Sequence, residues 1–430
     1  MKNIFSILLL ILSFSSIKAQ KSTLEKPRIL ISTDIGGTDP DDNQSMIHLL
    51  MYSDKFNIEG LVSSPSFGNG SKKEILKMIG LYEQDLPKLK KHSSGFPTPK
   101  YLRSVSKQGL HGNAPYEGFS KSTEGSEWIV KSARKKSTQP LWVLVWGGLE
   151  DVAQALHDAP DIQNKIKIYW IGGPNKKWSA NSYSYIVKNF PDLWFIEANS
   201  TYYAFFSKNE DRNILKSPEY YDRYIKGYGA MGKDFKNYYK GEIKMGDSPT
   251  LFYLMQGNPN DPTGESWGGS FEKINRSAHI IVDGNKGTSE DIAFCSLIEF
   301  RFKGPIIRDN PATAPFHMET MHKKKDVQKW AGSYLGDGNY AIQYVPKGAE
   351  VLNYKFVSEI PELNGHEGKL NIVNLWPGKE NPTDIPLGKT WFSDKSDPTL
   401  YEGKFQGGKT ISKWKNDILL DWAKRWDWLK

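Results

Sequence analysis

The residues best suited to chemistry lie in one stretch, Ser32-Thr33-Asp34-Ile35-Gly36-Gly37-Thr38-Asp39-Pro40-Asp41-Asp42, which puts four carboxylates within nine residues. Like charges this close repel unless a cation sits among them. Hard oxygen donors in a glycine-containing loop suit Ca²⁺ or Mg²⁺. The plainer reading is a solvated acidic turn in which Asp42 caps a helix. The neighbours favour the first. An apolar run, Ile29-Leu30-Ile31, precedes the loop, and Met46-Ile47-x-Leu49-Leu50-Met51 follows it at helical spacing. This order predicts strand, acidic loop and helix, and loops at strand C-termini are where α/β proteins place their chemistry.

The rest of the chain must hold that loop. Leu141–Trp146 is a continuous apolar run, the pattern of a buried parallel strand. It ends at Gly147-Gly148-Leu149-Glu150-Asp151, where a helix begins. Ile166–Ile171 repeats the device before Gly172-Gly173, and Phe56–Pro65 and Leu193–Glu197 read as further strands. Helices are expected over 72–83 and 122–136, a surface excursion over 85–121, and mostly helix over 200–245. Alternating strand and helix predicts an α/β fold with a Rossmann-like, mostly parallel sheet. Its edge loops would gather Asp34, Asp42, His111, Trp146 and Asn175. Asp247, before Ser248-Pro249, reads by itself as a helix-start residue. Trp267 sits in a glycine-rich loop. From about 276 short β-like runs alternate with turns, which predicts a smaller sandwich-like β-rich region to about 400. Residues 401–430 are expected to end in an aromatic-rich helix docking on the core.

Composition sets further bounds. Residues 1–19 have the pattern of a signal peptide, with Lys2, an apolar core from Phe5 to Phe14 and small residues up to Ala19. Cleavage after Ala19 and a periplasmic or secreted protein are expected. The apolar stretch is short for a membrane span, and no second long one exists. A single cysteine, Cys295, rules out an intrachain disulfide and is expected to be buried. Net charge is +8, with lysines scattered in groups such as Lys88-Lys90-Lys91 and Lys323-Lys324-Lys325. No nucleic-acid motif accompanies them, so no nucleic-acid partner is expected. The 14 Trp, 21 Tyr and 20 Phe fit a carbohydrate-handling surface, since sugar CH faces stack on rings, and fit ordinary packing equally well.

Four segments together resemble the nucleoside hydrolase superfamily. Its opening Asp-x-Asp-Pro-Gly-x-Asp-Asp turn is similar to Asp34-Ile35-Gly36 followed by Asp41-Asp42, with Gly37-Thr38-Asp39-Pro40 extra and Ser32 in place of the first Asp. Trp146–Asp151, Ile171-Gly172-Gly173 and Asp247 resemble its later turns. The longer runs Gly37–Asp42, Asn189–Tyr202, Asp247–Leu254 and Trp267–Gly269 resemble a nucleoside hydrolase-like family of secreted bacterial proteins often labelled cellulose-binding, over about 27–275. That family's commonly appended C-terminal module is expected to be absent.

The resemblance implies a calcium ion held by Asp34, Asp42, Asp247 and the main-chain carbonyl of Trp146, with Asp34 also the general base and Asp41 supporting the loop. His111 would protonate the leaving group. Asn175, Asn181 and Trp267 would contact a sugar. The family's Glu-Phe-Asn triplet after Gly173 is missing, which points away from ribonucleosides. The expected activity is Ca²⁺-dependent hydrolysis of N- or O-glycosidic bonds in plant or algal oligosaccharides. The alternatives are a ribonucleoside hydrolase and a non-catalytic carbohydrate-binding protein. Self-assembly into a homo-oligomer is left open.

Overall fold

The computed structural model describes residues 25–206, 217–308, 314–321 and 326–430. The expected signal peptide and the Lys323–Lys325 group lie outside these residues.

Six parallel strands form the frame: β1 (Arg28–Thr33), β2 (Asn57–Ser63), β3 (Ser106–Gln108), β4 (Leu141–Val145), β5 (Ile166–Ile171) and β6 (Trp194–Ala198). Their order is β3-β2-β1-β4-β5-β6. The chain therefore reverses direction across the sheet between β1 and β4, the switch point where the carboxyl ends of open α/β sheets leave a crevice. Side chains alternate between the faces: Ile29 and Ile31 join one apolar core, and Leu30 joins the other. Helices Asp41–Met51, Lys72–Leu89, Pro249–Met255 and Lys415–Trp426 cover the first face; Glu124–Ala133, Glu150–Asp158 and Ala180–Asn189 cover the second.

Three boundaries differ from the sequence reading. Residues 85–121 are not purely a surface excursion: the helix continues to Leu89, and β3 pairs in parallel with β2. A three-residue edge strand inside a Lys- and Ser-rich stretch leaves no periodicity to read. The 200–245 stretch is broken into short helices such as Tyr203–Phe206 and Gly229–Phe235, with Gly227 and Gly229 at positive φ between its turns; residues 207–216 lie outside the description. Within the region assigned to the β-rich part, Trp391–Asp394 instead joins the central sheet, parallel to β6, and pairs antiparallel with β7 (Phe271–Lys273). An apolar four-residue strand reads the same in either sheet; only its partners decide.

The β-rich part is two packed sheets. One has five strands and the other four. Leu352, Tyr354 and Phe356 alternate inward along Glu350–Ser358, and Phe356 meets Phe300 of the opposite sheet at 5.2 Å. This unit packs on the α/β layer: Gln343 Nε2 donates to Ser184 Oγ at 3.1 Å, and Trp178 stacks on Trp330 at 4.8 Å. No helix among the described residues is long and apolar enough to cross a membrane.

Candidate active site

The acidic loop leaves the end of β1 at the switch point. Asp41 and Asp42 do not cap the following helix; they occupy its first turn behind Pro40, where the helix dipole favours negative charge. Thr33 Oγ1, the last residue of β1, donates to Asp42 Oδ1. From the far side, Asp247 arrives just before the helix Pro249–Met255, and its Oδ2 accepts from Ser45 Oγ at 3.3 Å. Carboxylate oxygens of Asp41, Asp42 and Asp247 lie within 4.8 Å of one another. The Asp34 carboxyl stands beside that of Asp42, close enough for each to perturb the other's protonation.

Two glycines make this approach feasible. A Cβ on Gly246 would lie 2.5 Å from Asp41 Oδ2, and one on Gly147 would lie 2.8 Å from Asp34 Cβ. Trp146 locks the β4 end to the Asp247 loop: its indole Nε1 donates to Thr250 Oγ1 at 2.8 Å, and that hydroxyl donates to the Asp247 carbonyl at 2.8 Å. The Trp146 carbonyl accepts from Asn175 Nδ2 at 2.8 Å and keeps a second lone pair.

The electrostatics are those of a cluster short of positive charge. Burial, then the charge of Asp41, pushes Asp34 up to about 7. Burial, then Asp34, raises Asp42 well above the usual carboxylate range, and burial, then Asp42, does the same to Asp247. Asp41 is raised by burial despite Lys244, whose Nζ is 3.8 Å away. Lys244 is itself engaged by Asp39, which gives the extra residues of the loop a local role.

A cleft of about 600 Å³ opens over the cluster. Asp34, Asp41, Asp42, Trp146, Asn175 and Asp247 all line it. Asn175 is engaged on both ends, since its Oδ1 also accepts from Ser66 Oγ at 2.5 Å; it positions the Trp146 carbonyl. Three expected residues do not line the cleft. His111 is exposed on a loop anchored by Gly112 N on Asn69 and Leu110 N on Asp151. Asn181 donates to the Ala114 carbonyl at 3.0 Å, one helix further on. Trp267 packs against the first core, and Gly268 after it lies tight against Tyr253 of the Pro249–Met255 helix. Asp41, expected only to support the loop, belongs to the tightest carboxylate group, drawn there by the bare Gly246 and by Lys244.

Sequence reasoning missed part of the walls. Phe67, 47 % exposed, stacks on Trp178 at 4.5 Å, and Trp178 continues onto Trp330 of the β-rich unit. Gln328 and Lys347 from that unit also reach the cleft. Lys244, three residues before Asp247 in an irregular stretch, was missed as well.

The family described as "Cellulose-binding Sde182, nucleoside hydrolase-like domain" matches residues 28–271. The chain belongs to this family. Among solved structures, a nucleoside hydrolase-related hypothetical protein from Saccharophagus degradans, associated with carbohydrate metabolism, is 19% identical over 81% of this chain and 100% of its own, with a TM-score of 0.49. An inosine-uridine preferring nucleoside hydrolase from Bacillus anthracis is 13% identical over 59% of this chain and 87% of its own, at 0.39. A putative glycoside hydrolase from Bacteroides vulgatus is 22% identical over 20% and 16%, at 0.17. No curated protein matches.

Proposed function

We propose that the chain is an exported, cation-dependent hydrolase of glycosidic bonds in carbohydrates. The observation that carries this reading is the carboxylate cluster at the switch-point cleft, raised in pKa by burial and mutual repulsion. The donor set fits a hard divalent ion, with Ca²⁺ preferred because carboxylates and a carbonyl offer it many oxygens at flexible spacing. Asp42 and Asp247 would hold it, with Asp34, Asp41 and the Trp146 carbonyl completing the set. Such an ion, when bound, acidifies a water molecule and draws sugar hydroxyls into place.

The chain's own groups supply the rest. Asp34 stands beside Asp42 and accepts the proton of the attacking water as positive charge builds at the anomeric carbon. Asn175 fixes the Trp146 carbonyl so that the loop keeps its shape as charge shifts. Phe67, the exposed end of the stack it forms with Trp178, presents ring surface to the CH face of a sugar. No histidine lines the cleft among the described residues; Tyr202, Tyr203, Tyr239, Lys244 and Lys347 are proton-bearing groups on its walls. The name of the family, cellulose-binding, and the aromatic walls both support a sugar-chain substrate over a nucleoside.

Calcium calorimetry on the wild type and Asp42→Asn tests the site, and absence of Ca²⁺ binding by the wild type would sink it. An activity screen on nucleosides and on plant and algal oligosaccharides tests the reaction: release of base without release of sugar units would move the reading to a nucleoside hydrolase. The mass of the mature N-terminus tests export.

A further inference from the structure

The cleft over the carboxylates does not end at its own walls. A second cavity of about 660 Å³ lies beside it, and the two share Pro174, Tyr203, Gln328 and Lys347. Two of those four residues, Gln328 and Lys347, come from the β-rich unit, so the shared passage runs along the seam between the two parts of the molecule. The second cavity is walled by Asn199 and Ser200 at the end of β6, by the 347–350 turn and Asn374 of the β-rich unit, and by Phe405.

Each cavity by itself has the size of a small-molecule site. A nucleoside or a single sugar fits within the first. A second cavity in line with it suits a ligand longer than either. Its chemistry also narrows the ligand. Tyr203 is stacked between Tyr202, at 4.4 Å, and Phe405, at 5.1 Å, so that the half-buried Phe405 ends an aromatic stack at the passage. The charged lining is balanced, Asp326 and Glu350 against Lys347 and Lys404. A balanced lining beside the end of an aromatic stack fits an uncharged sugar chain, whose CH faces stack and whose hydroxyls meet mixed donors and acceptors. An anionic chain would meet the carboxylate cluster at one end of the groove and Asp326 and Glu350 at the other.

We propose that the β-rich unit completes the substrate groove, and that a neutral linear oligosaccharide lies across the seam. Its scissile bond sits over the carboxylates and its far units rest on Phe405 beside Gln328 and Lys347. The proposal rests on the carbohydrate reading above. The two parts are joined rigidly enough for this: Lys177 Nζ donates to Gln328 Oε1 at 2.6 Å, next to the Trp178–Trp330 stack.

The test is calorimetry of the full chain in Ca²⁺ against cello-, xylo-, manno- and laminari-oligosaccharides of one to six units, with oligogalacturonates as the anionic series. At least one neutral series should bind with affinity rising at least about tenfold from the dimer to the tetramer or longer, and Phe405→Ala and Gln328→Ala should each remove most of that rise. Both variants should keep wild-type Ca²⁺ affinity and a cooperative melting transition, with Gln328→Ala lowered in melting temperature by the lost Lys177 bond, and two variants on different units guard against one failing to fold. Affinity independent of length, preference for oligogalacturonates, no binding by any neutral series, or an unchanged length dependence in both folded variants would each overturn the groove. The outcomes separate from the parent reading: failure of the wild type to bind Ca²⁺ overturns the metal site, whereas Ca²⁺ binding without length dependence overturns only the groove.

Discussion

Buried carboxylates occur in two settings in this molecule. Away from the cleft several are met by a cation, while others, such as Asp151 and Asp394, are held by backbone and hydroxyl donors. Arg28 grips Glu59 with both ends of its guanidinium, at 2.7 and 3.1 Å; Arg425 meets Asp54 at 2.8 Å; Lys176 meets Glu197 at 2.6 Å, with neither side chain exposed. The Lys176 ammonium also lies 3.8 Å from the Tyr183 ring centre and 3.9 Å from that of Trp376. Burial works against the Glu59 charge, but Arg28 and Lys135 outweigh it and hold its pKa below the ordinary value. In the cleft the balance is reversed. Four acids crowd together, and Lys244 is shared with Asp39. The first setting holds the fold together. The second holds charges where the fold gains nothing from them, and such perturbed groups cluster at functional sites.

The contrast can be broken in order of size. Lys176→Leu leaves Glu197 buried without its cation and is expected to cost about 3–5 kcal/mol in urea unfolding. Asp42→Asn in EDTA, which removes one of several repelling charges, should cost nothing or stabilise. Equal losses in the two variants would erase the distinction. Adding Ca²⁺ to the wild type at a hundred times its dissociation constant should raise unfolding stability by about 2.7 kcal/mol, seen as a higher melting temperature that EDTA reverses. The same addition should do little to Asp42→Asn.

Asn175→Ala should weaken Ca²⁺ binding about tenfold by releasing the Trp146 carbonyl, with the melting curve in EDTA unchanged. Unchanged affinity would show that the carbonyl needs no support.

The smallest effect is a difference in pH slope. A carboxyl whose folded pKa is raised, such as Asp34 at about 7, contributes stability below its ordinary value of 3.8 that is lost as pH rises through about 7. In EDTA the wild type should therefore gain stability as pH falls from 8 to 5. Saturating Ca²⁺ should flatten that slope. Glu59 has the opposite sign: its contribution is present above its ordinary value of 4.5 and is lost as pH falls through its lowered folded value. Denaturant unfolding of Glu59→Gln against wild type below pH 5 reads it.

Much of the frame was legible in one dimension because its signals are local. The apolar runs at β1, β4 and β5 and the glycines after them mark strand ends without knowledge of neighbours. The acidic loop was legible because four carboxylates in nine residues are unusual chemistry wherever they fall. His111 misled because a loop's composition says nothing about which way it hangs. Trp267 misled because an aromatic among glycines looks the same whether it meets a ligand or a helix.

The sequence by itself determined that strands feed an acidic turn and that a β-rich segment follows. Residue order and side-chain chemistry are enough for that, since periodicity and charge act over a few neighbouring residues. Tertiary structure alone decided which acids meet. Asp247 lies more than 200 residues from Asp41 in the chain and reaches it because Gly246 has no side chain and Trp146 bonds through Thr250. It also decided that Trp391–Asp394 completes the central sheet and that Gln328 and Lys347 stand at the cleft. Strand partners and cavity walls depend on packing between distant segments, and no local pattern encodes them.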